Sequence, residues 1–141
     1  MNSQTSRADD EFTVGASREC TVIADVTRTQ IVQFAGASGD YSPLHTDEPR
    51  ALGAGYPSVM AHGMLAMGAA ERLLAEWVGR ERLMRYRVRF VSPVWPGDSL
   101  YAIVTVLDVR GNPQSSYVDL DVRTINQHGV TVLSGSATAR I

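Results

Sequence analysis

Lysine is missing from this chain of 141 residues; all 13 of its permanently cationic side chains are arginine. That removes Schiff-base chemistry and a lysine general base from consideration. Arginine keeps its proton, so it binds anions without relaying protons. Proton transfer near neutral pH is left to histidine, a carboxylate, Cys20 or a tyrosine. Only three histidines are available, His45, His62 and His128. Cysteine is almost absent as well. With Cys20 alone, no internal disulfide forms and no cysteine-built metal site is possible; Cys20 reads as a small core residue. No apolar run reaches the length of a membrane span. The start, Met1 to Glu11, is polar and of mixed charge, without the apolar stretch of a secretory leader. A cytoplasmic protein that avoids membranes is expected. The net charge of −2 gives no strong pull toward nucleic acid.

What is present suits one domain with its own core. Residues 1–11 read as a flexible N-terminal tail and 12–141 as a single domain. Alternation marks a first strand from Cys20 to Ala24. Thr27 stands three residues before Gln30, the spacing of a capping box. Ile31, Phe34 and Ala35 then make the apolar stripe of a short helix, which Gly36 and Gly39 end. Gly39 to Gly55, with Pro43 and Pro49, reads as a long irregular segment of a kind that often carries function. A second helix runs from Gly63 or Met64 to Val78 and is closed by Gly79. Met64, Met67, Leu74, Trp77 and Val78 give it one apolar face, and Ala66, Gly68, Ala69 and Ala70 keep it narrow enough to lie close on a sheet. Thereafter the period is two, over Arg85–Phe90, Leu100–Val109, Tyr117–Thr124 and Val130–Ile141, with turn formers between. Short connections favour an antiparallel sheet. One sheet wrapped around one apolar helix buries both, which predicts an α+β protein of the hot-dog arrangement.

The segment richest in chemistry is Ser38-Gly39-Asp40-Tyr41-Ser42-Pro43-Leu44-His45. It holds a carboxylate and an imidazole five positions apart in a stretch stiffened by Pro43. Such a pair, if both reach one water, shares its activation. Seventeen residues on, Ala61-His62-Gly63-Met64 stands where the second helix begins. The first amides of a helix lack internal partners and lie at the positive end of its dipole. The Gly63 amide, with no side chain beside it, is suited to stabilising a developing oxyanion.

These blocks resemble the signature of the MaoC-like dehydratase or (R)-specific enoyl-CoA hydratase family. That signature sets an acidic residue, then Asn-Pro and an apolar residue before histidine, and later His-Gly ahead of the helix. Arg89-Phe90, Pro93 and Pro96-Gly97-Asp98 resemble its third block. The likeness runs from Phe34 to Asp98. It implies a hot-dog fold and hydration of a 2-enoyl thioester, or the reverse dehydration. It implies that Asp40 and His45 hold the catalytic water and that the Gly63 amide polarises the thioester carbonyl. No metal or redox cofactor is implied, coenzyme A or an acyl carrier arriving as part of the substrate. The partner it implies is a second hot-dog chain, in a homodimer or a hetero-oligomer. The family usually has asparagine where this chain has Ser42, which offers one hydroxyl in place of an amide.

Other residues carry two readings each. His62 either lines the site or bonds backbone at the helix start. Ser42 and Met64 are substrate-binding candidates, though Met64 also fits the core. Arg85, Arg87 and Arg89 share one strand face, which is either solvated or, at Arg89 above all, a phosphate contact. Tyr41 is a lid or an exposed aromatic, and His128 belongs to a hairpin turn. Two competing functions stand beside the hydratase: an acyl-thioester hydrolase, and a non-catalytic hot-dog subunit that needs a partner.

Overall fold

A computed structural model of the protein describes residues 11–141. The order of elements is β1 (Ser17–Ile23), α1 (Arg28–Ser38), α2 (Pro43–Thr46), α3 (Glu48–Gly53), α4 (Gly63–Val78), a 3-10 turn (Arg80–Arg82), β2 (Leu83–Phe90), β3 (Leu100–Asn112), β4 (Ser115–Asn126) and β5 (Thr131–Arg140). The five strands form one sheet in the order β1-β3-β4-β5-β2, every pairing antiparallel. The sheet curls around α4, as the hot-dog expectation requires.

Alternation decides which face of each strand meets the helix. On β3, Leu100, Ala102, Val104 and Val106 are buried, while Tyr101, Ile103 and Thr105 are only partly covered. On β4, Val118, Leu120, Val122 and Thr124 turn inward, opposite Asp119, Asp121 and Arg123. The helix supplies Ala66, Ala70, Leu73, Leu74, Trp77 and Val78 to the same core. The alanines at the two central turns are 1% and 0% exposed, so backbone and sheet approach closely. Gly135 of β5 serves the same closeness in the sheet. A Cβ there would run into the Arg87 carbonyl and approach Val88 Cα to 2.7 Å.

Several boundaries differ from the sequence reading. The first strand is Ser17–Ile23 rather than Cys20–Ala24, with an irregularity between Thr21 and Ile23 that ends the regular register. Cys20 is only half-buried at the sheet surface; burial and the Glu76 carboxylate push its thiol pKa up against the opposing pull of Arg72. The capping box is present: Thr27 Oγ1 accepts from Gln30 N (3.0 Å) and Gln30 Oε1 from Thr27 N (2.9 Å). Gly36 lies inside α1, and Gly39 alone ends it, at φ 76° with its N–H on the Ala35 carbonyl. Gly39–Gly55 is not irregular, because α2 and α3 occupy most of it. Each of these helices carries a proline at its first or second position, where a missing N–H costs no helical bond. Met64 leaves the expected apolar face and is 55% exposed, since it shares the outward stripe of α4 with Gly68, Arg72 and Glu76, four residues apart. The tail expectation lies, for residues 1–10, outside the described residues; Glu11 pairs with Arg18, and Phe12 stacks on Trp77 at 5.7 Å.

Candidate active site

Asp40 and His45 stand on either side of Pro43, and the turn between them is held by the backbone. Gly39 turns the chain out of α1. The main-chain N–H of Ser42 donates to Asp40 Oδ1 (3.3 Å), fixing the carboxylate rotamer. This bond does not depend on the side chain at residue 42; the Ser42 hydroxyl makes no capping bond to α2. The other oxygen, Oδ2, lies 3.6 Å from His45 Nε2.

The His45 ring is tied from behind. Its Nδ1 lies 2.7 Å from the Met60 carbonyl. A carbonyl only accepts, so Nδ1 carries the proton, and in the neutral ring Nε2 presents a lone pair toward Asp40. In that state the two acceptors, 3.6 Å apart, form no hydrogen bond with each other. The gap is instead suited to a water whose two hydrogens point one to each. His45 is 13% exposed and Asp40 54%, so the imidazole is largely enclosed and the carboxylate reaches solvent.

Met60 is itself positioned by the fold. Its N–H donates to Leu44 O (3.1 Å), and the next amide, Ala61, donates to Val94 O (2.8 Å). Val94 precedes a turn clamped by Asp98, whose carboxylate accepts from Trp95 N (2.9 Å) and Gln127 Nε2 (2.8 Å). Asp98 is 7% exposed. Sequence reasoning missed this support. The Pro96-Gly97-Asp98 turn was the signal for it, but its partner Gln127 lies 29 residues away.

His62 is 2% exposed. Its Nε2 donates to the main-chain carbonyl of Asp40 (3.0 Å). Its ring stacks on His45, with centroids 3.7 Å apart and planes at 23°, and meets Phe34 at 4.8 Å. The backbone bond, one of its two readings, is present, and the ring also packs against the candidate pair. Asp40, His45 and His62 place ligand-type atoms within 4.8 Å of one another. The two imidazoles, however, are stacked face on face. An ion in the plane of one ring lies well out of the plane of the other, so their lone pairs do not converge as metal ligation needs.

Gly63 opens α4. Among the backbone hydrogen bonds of the described residues, none uses its N–H. Phe90 lies over it: a Cβ on Gly63 would stand 2.9 Å from three carbons of the Phe90 ring. Met60, Gly63, Phe90, Val91, Ser92 and Pro93 line a cavity of about 270 Å³. Gly63 and Met60, the residue whose carbonyl orients His45, therefore border one space, which neither Asp40 nor His45 lines. A second, mostly apolar groove of about 430 Å³ runs between α1 and α4 past Phe34, Leu65, Gly68 and Ala69.

The remaining candidates lie elsewhere. On β2, Tyr86 and Phe90 face α4, through Met67 O and Gly63 respectively. Arg85, Arg87 and Arg89 alternate with them and so occupy the outer sheet face, where Arg87 and Arg89 border a shallow hollow with Ser134 and Ser136. Within one chain, Arg89 is thus not brought to the Asp40–His45 pair. Tyr41 is 68% exposed. His128 sits in the β4–β5 turn, away from the site, its N–H on Asn126 Oδ1.

A family model described as the MaoC like domain matches residues 10–128. The chain is 27% identical over 136 residues to a mitochondrial 3-hydroxyacyl-(acyl-carrier-protein) dehydratase of Arabidopsis thaliana, covering 91% of this chain and 82% of that protein. An (R)-hydratase from A. caviae involved in PHA biosynthesis has a similar structure, with a TM-score of 0.79 and 26% identity over 89% of this chain and 94% of that one. The ChsH1–ChsH2 complex of Mycobacterium tuberculosis includes a chain of the same fold, with a TM-score of 0.76 and 20% identity over 89% and 95% of the two chains.

Proposed function

The chain belongs to the MaoC-like domain family, and from that membership we propose that it adds water to a 2-enoyl thioester or, in reverse, dehydrates a 3-hydroxyacyl thioester. It is a hydro-lyase, like the dehydratase and the (R)-hydratase it resembles. Direction follows from concentrations and not from the residues. The observation that carries the assignment of residues is the pair of facing acceptors, Asp40 Oδ2 and His45 Nε2, 3.6 Å apart.

In the hydration direction, a water held by both acceptors attacks the β-carbon of the enoyl group and gives up one proton to the pair. Electron density moves to the thioester oxygen, which the unused Gly63 amide stabilises at the positive end of α4. The α-carbon then takes a proton from the same pair, so no net acid or base is consumed. The chemistry needs proton transfer and one oxyanion donor. Coenzyme A or an acyl carrier enters only as the thiol part of the substrate, and the mechanism calls on no further cofactor. Ser42, at the position usually asparagine, contributes its main-chain N–H to the carboxylate.

The partner in this reading is a second hot-dog subunit, identical or different. Among the described residues, strand β2 is hydrogen-bonded on one side only, to β5, and Met84 and Phe90 on it, with Val91 beyond, are exposed. An open strand edge with apolar neighbours is a pairing surface. Among the described residues, no helix is long and apolar enough to cross a membrane.

The test is a panel of enoyl-CoA esters of varied length and branching, followed by loss of the enoyl absorbance with the purified protein alone. Hydration by the wild type, lost in His45→Ala, supports the proposal. Release of free thiol from saturated acyl-CoA without hydration overturns it in favour of a hydrolase. Activity that appears only with a second hot-dog chain assigns this one to a partner-dependent assembly.

A further inference from the structure

We propose that His62 is a positioning residue that fixes Asp40 and His45 against each other, and that it does not bind substrate. The inference rests on reading those two as the reacting pair. Its starting point is that the pair does not hold itself together. With the His45 ring neutral, Oδ2 of Asp40 and Nε2 of His45 are both acceptors at 3.6 Å, and two acceptors repel. The spacing therefore has to be imposed by groups behind them. Ser42 N touches only Asp40, and Met60 O touches only His45. Among the described residues, His62 is the one side chain whose hydrogen bonds and ring contacts reach both: its Nε2–H holds the Asp40 carbonyl at 3.0 Å, and its ring face supports His45 at 3.7 Å.

The other ring atom points to the same role. Because Nε2 donates to a carbonyl, Nδ1 of the neutral ring is a lone pair, and it is buried with no hydrogen-bond partner. Leaving a buried polar atom without a protein partner disfavours the fold. A phenylalanine would fill this space and stack on His45 and Phe34 without that cost. What it would lack is the donor to Asp40. Stability alone thus argues against histidine here, whereas the geometry of the pair argues for it. His62 also caps α4 through its backbone, immediately before the Gly63 amide, so one residue links the carboxylate, the imidazole and the oxyanion donor.

Two variants separate the parts of this role. His62→Phe keeps the ring and removes the donor. His62→Gln keeps an amide donor at similar reach and removes the ring. The expected result for His62→Phe is a fall in kcat on the order of 10²-fold, the effect of misplacing a catalytic group by about 1 Å, with KM little changed and Tm equal to or above wild type. His62→Gln should recover part of that loss. Activity and stability moving in opposite directions is what a merely structural histidine would not produce. Wild-type kcat in His62→Phe, a parallel fall of kcat and Tm, or a glutamine no better than phenylalanine overturns the inference.

A crystal structure of His62→Phe decides the matter without activity. A changed separation of Asp40 Oδ2 and His45 Nε2 supports the proposal, and an unchanged one refutes it. If the wild type hydrates no enoyl thioester, the proposed function fails, and this separation still judges the role of His62.

Discussion

Replacing Asp40 by asparagine should abolish most of the activity while leaving the fold intact, and the structure says why both follow. The substitution is nearly isosteric. Its Oδ1 can still accept from Ser42 N, now 3.3 Å away, so the rotamer is retained. The atom facing His45 changes from an acceptor to an amide donor. A gap of 3.6 Å between two acceptors becomes a donor–acceptor pair that can close to hydrogen-bond length. The His45 lone pair is then occupied, and the water has lost both of its anchors. Positioned acid–base catalysis is worth about 10² to 10⁴ in rate, which is about 3 to 5 kcal/mol of barrier. The new bond adds at most about 1 kcal/mol to stability, and less at a side chain 54% exposed. Tm should therefore stay within about 4 °C of wild type. The assay is steady-state loss of enoyl absorbance at saturating enoyl-CoA, paired with a thermal melt of the same sample. A rate within tenfold of wild type would refute the shared-water geometry, and a collapse of Tm would show that Asp40 serves the fold instead.

Other consequences can be checked in the same preparations. Gly63→Ala would press a methyl group against the Phe90 ring at 2.9 Å. Because Phe90 is 57% exposed and can swing away, kcat/KM should fall with Tm nearly unchanged, and adding Phe90→Ala should relieve part of the loss. Tyr86 donates to Met67 O (2.9 Å), and burial, aided by the Glu71 charge, pushes its phenol from the ordinary 10 up to about 12. A raised acid favours the protonated folded form, so this contribution is complete below pH 10 and lost as pH rises toward 12. Chemical-denaturation curves should show that decline in the wild type and a flatter profile in Tyr86→Phe. Leu74→Ala, at a side chain 0% exposed under the sheet, should cost about 2 to 5 kcal/mol and lower Tm by roughly 10 °C; calorimetry measures it.

Local rules carried much of the architecture. The Thr27–Gln30 box acts over three residues, and the C-terminal bond of Gly39 to Ala35 over four. The inward set Val118, Leu120 and Val122 follows from the two-residue period of a strand whatever lies above it. The α4 limits were legible for the same reason, since small and apolar residues repeat at helical spacing between Gly63 and Gly79. Reading Pro43 and Pro49 as breakers hid α2 and α3, because a proline that ends one helix is equally at home in the first turn of another. The exposure of Met64 was misread although periodicity carried it, since Met64 stands at helical spacing from the polar Arg72 and Glu76 on the outward stripe of α4.

The candidate site divides along the same line. Asp40, His45 and the Gly63 amide were visible as residue types because a stiff turn and a helix start are written within a few positions of the chain. Their arrangement was not. The carbonyl that sets the His45 tautomer comes from Met60, the donor that holds the Asp40 backbone from His62, and the clamp behind both from Asp98 and Gln127. Those partners are 15 to 29 residues apart in sequence, and only the closing of the sheet over α4 brings them within hydrogen-bond reach. Sequence by itself determined which chemical groups this protein has for moving protons and which elements carry them. Tertiary structure decided the distances and directions among them, because hydrogen bonds and ring contacts act over a few ångströms in space and not over any fixed count along the chain.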